Sequence, residues 1–372
     1  MKVLHFYKTY LPDTIGGGET VINQIAKGTQ LLGVSTEVLS LSQNIDHKTL
    51  EIDGHLVHRC QTTFEIASTP FSISAFSRFK ELAKQADIIH YYFPYPFTDI
   101  LHFVTQANKP TVVTYLSDII KQENLLKLYR PVKRHFLESV DHIVATSPNY
   151  LESSPILSRF ADKTSIIPIG LNKNSYPKPS NEILNFWKEK FGSRFFLFIG
   201  VLRYYKGLHT LIEAAKNTDY PIIIVGSGLM ESELKQQVKD TGVHNIYFAG
   251  QLDEVDKQAL LELCCALIFP SHLRSESFGV SLIEGAMYGK PLVSCEIGTG
   301  TTYINIDKET GVVIPPNDSA ALQQAMDYLW NNPIEASAMG QRAEARYWEL
   351  FTAKEMAESY VELYKKLLNK KE

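Results

Sequence analysis

The sequence contains no apolar run approaching the roughly 20 residues that a membrane-spanning helix requires. Its opening stretch, MKVLHFYKTYLP, also lacks the hydrophobic segment of a secretion signal. Together these predict a cytoplasmic protein. Cysteine is scarce: Cys60, Cys264, Cys265 and Cys295 are all there are, and none forms a C-x-x-C pair. Free buried thiols in a reducing compartment are expected, two of them inside the apolar run LELCCALIF. Charge of one sign is not in large excess either. With 37 Lys+Arg against 41 Asp+Glu the net charge is −4, which argues against general nucleic-acid binding. No two aspartates are separated by a single residue, and the 11 histidines show no H-x-x-x-H spacing. Two common metal-ligating patterns are therefore missing, and no essential divalent ion or other cofactor is expected. Internal repeats and low-complexity segments are absent as well.

What the sequence does contain is the composition of a folded protein, 44% hydrophobic and 21% charged over 372 residues, enough for two domains. Short apolar runs alternate with helix-length amphipathic segments, the signature of parallel α/β structure. In the first half, strands are predicted at Val3–Tyr7, Thr36–Leu41, Leu56–Cys60, Ile88–Tyr92, Thr111–Tyr115, His142–Thr146 and Ser165–Ile169. The pattern restarts with Phe195–Gly200, Ile222–Gly226, Ile246–Ala249, Ala266–Phe269, Leu292–Cys295 and Val312–Ile314. Between the two series, Lys173–Glu182 is rich in Asn, Pro and Lys and reads as a seam. Two Rossmann-like domains are expected, 1–170 and 171–351, facing each other across a cleft. After Pro333 the chain is almost continuously helical, and a final helix at about 352–372 is expected to dock back on the first domain.

Open α/β sheets bind ligands at the carboxyl ends of their strands, so the loops there carry the candidate chemistry. Gly16, Gly17, Gly18 and Glu19 follow the first strand and open a helix. Consecutive glycines permit close approach of backbone to phosphate, and a helix start supplies free N–H groups. A plain βα turn is the alternative. Arg203 and Lys206, in GVLRYYKG (Gly200–Gly207), lie just past a strand end of the second half. Two cations there can hold a diphosphate and neutralise its charge as it leaves, or else form a solvated basic turn. A third segment reads SESFGVSLIE from Ser275 to Glu284. A helix opening near Gly279 would offer amides to a pyrophosphate. Glu284, about one and a half turns in, would accept hydrogen bonds from two ribose hydroxyls, leaving Glu276 toward a sugar.

These pieces in this order resemble the retaining glycosyltransferases of family 4, whose fold is called GT-B, over essentially the whole chain. The most specific parts are the E-x7-E block Glu276–Glu284, GVLRYYKG, and IGTGTTYIN (Ile297–Asn305). The last is similar to a segment of bacterial mannosyltransferases that build O-antigen and related polysaccharides from GDP-mannose. The resemblance implies a nucleotide-sugar donor as substrate and a glycan or polyprenyl-diphosphate-linked glycan as acceptor, without nucleic acid as a partner. It also implies transfer with retained configuration, most closely of mannose in lipopolysaccharide synthesis. By position, Arg203 and Lys206 would bind the donor diphosphate and Glu284 the ribose. Glu276 would meet donor-sugar hydroxyls, and Ser277 with the amides of Phe278, Gly279 and Val280 would surround the phosphates. Gly16 and Gly17, with Gly18 beside them, would meet the diphosphate from the other domain, and Gly226 and Gln251 would flank the base.

One departure from the family pattern stands out. Where many members carry T-x-H-x-D, this chain reads Thr114-Tyr115-Leu116-Ser117-Asp118, so Leu116 replaces the histidine close to the transferred sugar. Asp118 is the nearest candidate to take over that contact. His5 and His90 lie on predicted strands and read as core or wall residues. A UDP-sugar donor, or a sugar-nucleotide-binding module without catalysis, remains an alternative. So do an epimerase and a glycogen-synthase-like polymerase on the same architecture.

Residues 121–134 carry Lys121, Lys127, Arg130, Lys133 and Arg134 against only Glu123, within an amphipathic helix predicted over Lys121–Ser139. Leu125, Leu126, Tyr129, Val132, Phe136 and Leu137 are expected to face inward, with Lys127, Arg130, Lys133 and Arg134 on the polar face. That face is either solvated or meets an anionic membrane, at the inner face of the plasma membrane, or a lipid-linked acceptor.

Overall fold

The computed structural model describes residues 1–14, 16–45, 48–66, 69–118 and 123–370, and for 123–128 the backbone alone. The chain divides into two compact units, Met1–Gly170 with Ala353–Glu372, and Leu171–Thr352.

The first unit begins with β1 (Lys2–Phe6), α1 (Gly17–Leu31), β2 (Ser35–Ser42), β3 (Thr49–Ile52) and β4 (His55–Gln61). A small hairpin of β5 (Phe64–Ile66) and β6 (Thr69–Phe71) leads into α2 (Ile73–Gln85). Then come β7 (Ile88–Phe93), α3 (Pro96–Thr105), β8 (Thr111–Tyr115), α4 (Glu123–Ser139), β9 (His142–Ala145), α5 (Pro148–Ser153) and β10 (Thr164–Ile166). The strands form one sheet in the order β10-β9-β8-β7-β1-β2-β4-β3. All neighbours are parallel except β3 and β4. Central strands such as β7 (IIHYYF) are buried along their whole length, as strands covered by helices on both faces must be. The antiparallel β3 and the β5–β6 hairpin have no counterpart in the expected strand series. They are short, half-exposed and weakly patterned, so the sequence carries little signal for them.

The second unit runs α6 (Asn181–Phe191), β11 (Phe196–Ile199), α7 (Leu208–Ala215), β12 (Ile222–Val225), α8 (Glu231–Thr241), β13 (Ile246–Gly250) and α9 (Glu254–Leu263). It continues with β14 (Ala266–Phe269), α10 (Val280–Met287), β15 (Leu292–Cys295), α11 (Thr301–Ile304), β16 (Gly311–Ile314), α12 (Ser319–Asn331) and α13 (Pro333–Leu350). Its sheet is parallel throughout, ordered β13-β12-β11-β14-β15-β16. The polar seam is not all linker. Ser180 accepts a hydrogen bond from the Ile183 amide and caps α6, whose Trp187 and Phe191 are buried. Asn and Pro mark the loop before that cap, not the segment after it.

The last helix, α14 (Ala353–Asn369), belongs to the first unit and lies along α1. A Cβ on Gly28 of α1 would sit 2.7 Å from the Ala357 Cβ, so glycine is what lets the two helices touch. Tyr360 and Tyr364 of α14 enter a buried polar chain. Tyr364 shares a 2.7 Å hydrogen bond with His90 Nδ1. His90 Nε2 is 2.7 Å from Thr114 Oγ1, which is 2.8 Å from the Tyr360 hydroxyl. Burial, with His5 nearby, pushes the His90 imidazole well below its usual pKa, so it sits neutral in the core. His5 is equally buried and bonds Tyr92, so both histidines are core residues.

Helix α4 departs from its expected face. Val132 is exposed, whereas Lys133 is only 8% exposed. At 100° per residue, Lys133 shares a stripe with Tyr129, Phe136 and Val140, while Val132 falls beside that stripe. Phe136 and Leu137 are buried, and Arg130 and Arg134 are exposed. Lys121 and the side chains of Leu125, Leu126 and Lys127 lie outside the described residues. The four cysteines are free thiols; Cys60, Cys264 and Cys295 are buried and Cys265 is half-buried.

Candidate functional site

In an open parallel sheet the ligand crevice lies where the strand order reverses, outside the carboxyl ends. In the second unit that point falls between β11 and β14. The loops after these two strands carry Arg203 with Lys206 and Glu276 with the start of α10. Topology thus brings together residues about seventy positions apart.

After β11 the chain makes a single 3-10 turn over Tyr204–Lys206. Gly207 follows with φ 71°, and a Cβ there would lie 2.0 Å from the Pro270 carbonyl oxygen. Only glycine fits, and the close crossing pins the turn against the end of β14. Lys206 is 8% exposed and its Nζ donates to Glu276 Oε2 at 2.5 Å. Ser271 donates to the same oxygen at 3.3 Å. The ammonium also lies 4.6 Å from the centre of the Phe269 ring. Arg203 is exposed. The turn therefore presents one cation fixed in a sheltered ion pair and one that is free to reach outward.

Gly279, at φ 100°, caps α10, and a Cβ on it would lie 3.2 Å from the same Phe269 ring. In the first α10 turn the Leu282 amide donates to the Gly279 carbonyl at 2.9 Å, and the amides at the very start of a helix have no acceptor within it. Ser281 ties this turn to the sheet by donating to the Ile199 carbonyl at 2.9 Å. Phe278 is buried against Gly300, where a Cβ would come within 2.2 Å of its ring, and the Gly300 amide donates to the Ser277 carbonyl. Ser277 is half-buried and Val280 begins the helix.

Glu284 sits mid-helix in α10 and is only 8% exposed. The Tyr176 hydroxyl donates to it at 3.3 Å. Burial raises its pKa to about 7, with Lys257 pulling it down and Glu254 pushing it up. A carboxylate kept this dry is short of hydrogen-bond donors, a need that two vicinal hydroxyls of a ligand would meet.

The remaining predicted positions fall as follows. Gly226, φ 132°, lets the end of β12 cross β11, since a Cβ would lie 2.0 Å from the Gly200 carbonyl oxygen. Its identity is explained by that crossing. Gln251 is exposed directly after β13. In the first unit, Gly16, Gly17 and Gly18 lie at that sheet's own reversal point, between β1 and β7. None of them has a positive φ. Gly18 is pressed on the Tyr7 hydroxyl, whereas a Cβ on Gly17 would meet nothing within 4 Å. The Glu19 carboxylate is turned away onto the hydroxyls of Thr9 and Thr14, both at 2.7 Å. Asp118, partly exposed, accepts from Tyr115 at 2.8 Å and Ser154 at 3.0 Å. Leu116 is half-buried, its amide on the Phe93 carbonyl.

Ser271, Tyr176 and His272 join the second-unit site without having been singled out in the sequence. His272 is buried under the turn, ring-to-ring with Tyr204 and His209 at 5.0 Å each. Position directly after β14 was the available signal for Ser271 and His272; Tyr176, a hundred residues before its partner in the chain, gave none. Among the described residues, no group of three or more His, Cys, Asp or Glu side chains is arranged to hold a metal ion.

Comparison with known proteins agrees with this architecture. Residues 15–174 match the family described as Glycosyltransferase Family 4, and residues 180–346 match Glycosyl transferases group 1. The chain is 55% identical over 353 residues to the D-rhamnosyltransferase WbpZ of Pseudomonas aeruginosa, covering 95% of this chain and 93% of that one. It is 48% identical over 371 residues to O-antigen chain mannosyltransferase C of Escherichia coli, covering 100% of both. Among solved structures, sucrose-phosphate synthase from Thermosynechococcus elongatus superposes with a TM-score of 0.81 over 99% of each chain, at 19% identity. The chain therefore belongs to glycosyltransferase family 4 and is a glycosyltransferase built from two Rossmann-like domains of the GT-B type.

Proposed function

We propose that this enzyme transfers mannose from GDP-mannose, with retention of configuration, to a glycan or lipid-linked glycan during assembly of a bacterial surface polysaccharide. The observation that carries the reading is the β11/β14 reversal, where the loop bearing Arg203 and Lys206 meets the loop bearing Glu276 through the Lys206–Glu276 pair just ahead of α10, an arrangement suited to a diphosphate. Support for the sugar comes from the two relatives, one named a mannosyltransferase and one a D-rhamnosyltransferase. D-Rhamnose is mannose without its 6-hydroxyl, so both names imply the same ring configuration. The higher identity to the D-rhamnosyltransferase favours a second reading, a 6-deoxy donor, in which the groups around C6 decide.

In the proposed reaction the bond from C1 to the diphosphate oxygen breaks and the acceptor oxygen attacks from the same face. The departing diphosphate takes the acceptor's proton. Arg203, Lys206 and the α10 amides stabilise its growing charge, so that neither a protein nucleophile nor a metal ion is required. Glu284 holds the ribose, and Glu276 meets the transferred sugar while keeping Lys206 in place. The exposed Arg130 and Arg134 of α4 support peripheral contact with an anionic membrane.

The test is transfer and thermal stabilisation with GDP-mannose, GDP-D-rhamnose, UDP-glucose and UDP-GlcNAc, since a bound donor raises the unfolding midpoint. GDP-mannose should give the largest shift and turnover. A preference for either UDP-sugar would overturn the guanine reading, and a preference for GDP-D-rhamnose would replace mannose.

A further inference from the structure

Glu284 is a buried carboxylate in the middle of α10, and among the described residues no cation lies within ion-pair distance of it. Lys257 of α9 pulls on it electrostatically but is paired with Glu254 of its own helix. Among the described residues, the hydrogen bond that its carboxylate accepts comes from the Tyr176 hydroxyl, 3.3 Å from Oε1. A dry carboxylate that is to meet two hydroxyls of a ligand, with no cation to fix its rotamer, depends on whatever else holds it.

The backbone that delivers Tyr176 is fastened to α13 along its length. The Leu171 carbonyl accepts from the Tyr347 hydroxyl at 2.9 Å, and the Lys173 amide donates to that hydroxyl at 3.2 Å. The Lys173 ammonium pairs with Glu344 at 2.9 Å and lies 5.7 Å from the ring centres of both Tyr288 and Trp348. Asn172 then caps a single turn over Lys173–Ser175, its side chain accepting from the Asn174 amide at 3.0 Å. The chain is thus held up to the residue before the tyrosine. Burial, then the nearby Glu284 and Glu254, raise the Tyr176 pKa above its ordinary value, so the hydroxyl stays protonated and acts as a donor. Phenylalanine would give the same packing at this place; the hydroxyl is what needs a reason.

We propose that the Tyr176 hydroxyl is a positioning group for donor binding, holding one oxygen of Glu284 so that the remaining lone pairs of the carboxylate meet the two ribose hydroxyls of the nucleotide. Tyr176 touches no reacting atom and acts through Glu284 alone. The proposal rests on the assignment of Glu284 to the ribose and adds the group that makes this glutamate competent. The hydroxyl does so in two ways. It restrains the rotation of the side chain, and by donating it favours the ionised form, against burial and Glu254 and alongside Lys257. Glu254 and Lys257 of α9 and Tyr288 at the end of α10 are the other titratable groups that act on Glu284 or feel its charge, and a change at position 176 leaves them in place.

The experiment compares wild type, Tyr176→Phe, Glu284→Gln and the double variant by calorimetric titration with GDP and 2′-deoxy-GDP, and by transfer kinetics. UDP and 2′-deoxy-UDP run in parallel, since the ribose is common to both nucleotides and a wrong base then leaves the test intact. Tyr176→Phe should weaken GDP binding about threefold to tenfold and raise the donor KM by a similar factor, while kcat changes less than about twofold. In the Glu284→Gln background the same substitution should change affinity less than about twofold. The gap between wild type and Tyr176→Phe should narrow as pH rises from about 6 to about 9, the nucleotide's own titration cancelling in the ratio. An undiminished effect in the Glu284→Gln background would make Tyr176 a packing residue and overturn the proposal, as would unchanged GDP affinity in Tyr176→Phe. Equal binding of GDP and 2′-deoxy-GDP by wild type, with full affinity retained in Glu284→Gln, would instead remove the ribose assignment, and the proposal with it.

Discussion

Replacing Glu284 by Gln should make the second unit more stable at alkaline pH and bind its donor less well, two effects of opposite sign from one carboxylate. Burial raises the Glu284 pKa from the usual 4.5 to about 7. The folded state therefore holds this proton more tightly than the unfolded state does. The resulting stabilisation is complete below about pH 4.5 and is lost as pH rises through about 7. A shift of that size corresponds to about 3 kcal/mol in all, of which roughly 2.5 falls between pH 5 and pH 8. Glutamine, neutral at every pH, escapes the penalty. Trp187, Trp330 and Trp348 are the three tryptophans of the chain, and all lie in the second unit. Guanidinium unfolding followed by tryptophan fluorescence thus reports on that unit. Between pH 5 and pH 8 the wild type should lose about 2 to 3 kcal/mol relative to Glu284→Gln. The variant's affinity for GDP should meanwhile fall by about tenfold, because an amide oxygen accepts less strongly than a carboxylate and its NH2 opposes a hydroxyl donor. Parallel stability curves for the two proteins would refute the desolvation argument, and unchanged GDP affinity would remove the ribose assignment.

Four further outcomes follow from the same site. Lys206→Ala and Arg203→Ala should each cut kcat by roughly 10²–10³ with an unchanged melting curve, and near-normal turnover in both would eliminate the leaving-group role. Glu276→Gln takes away the carboxylate that competes for Lys206 at 2.5 Å, so GDP should bind several-fold tighter while transfer slows; weaker GDP binding would contradict this. Gly207→Ala forces a Cβ to within 2.0 Å of the Pro270 carbonyl at φ 71° and should destabilise the second unit by about 2–4 kcal/mol in the tryptophan assay, a loss under about 0.5 kcal/mol arguing against a pinned turn. Activity should survive EDTA, and complete loss restored by Mg²⁺ or Mn²⁺ would show that the two cations do not suffice.

Much of the architecture was legible because buried parallel strands are written as apolar runs. Ala266–Phe269 and Leu292–Cys295 begin and end where the runs do. The loops after β11 and β14 could be located for the same reason. Their meeting could not, because the strand order that makes them neighbours is a property of the whole sheet. Hence the Lys206–Glu276 pair, and the Ser271 and Tyr176 bonds to the two glutamates, emerged only in three dimensions. Lys133 was misplaced for a different reason. Residue type assigned it to the polar face of α4, while the helical repeat places it inward, and a long amphipathic side chain tolerates that position. The α6 helix was hidden by the Asn and Pro of the loop that caps it.

The placement of α14 sets the order in which the protein can be completed as it leaves the ribosome. Residues 1–170 emerge first, yet His90 and Thr114 of their sheet receive the Tyr364 and Tyr360 hydroxyls from the last helix. Until those tyrosines are made, the two side chains must stay hydrated, and α1 lacks the helix that packs on Gly28. The second unit, encoded wholly between residues 171 and 352, has everything it needs before translation of α14 begins. The half synthesised first is thus the half finished last, and a chain ending near residue 352 would hold a complete second unit joined to an unsealed first.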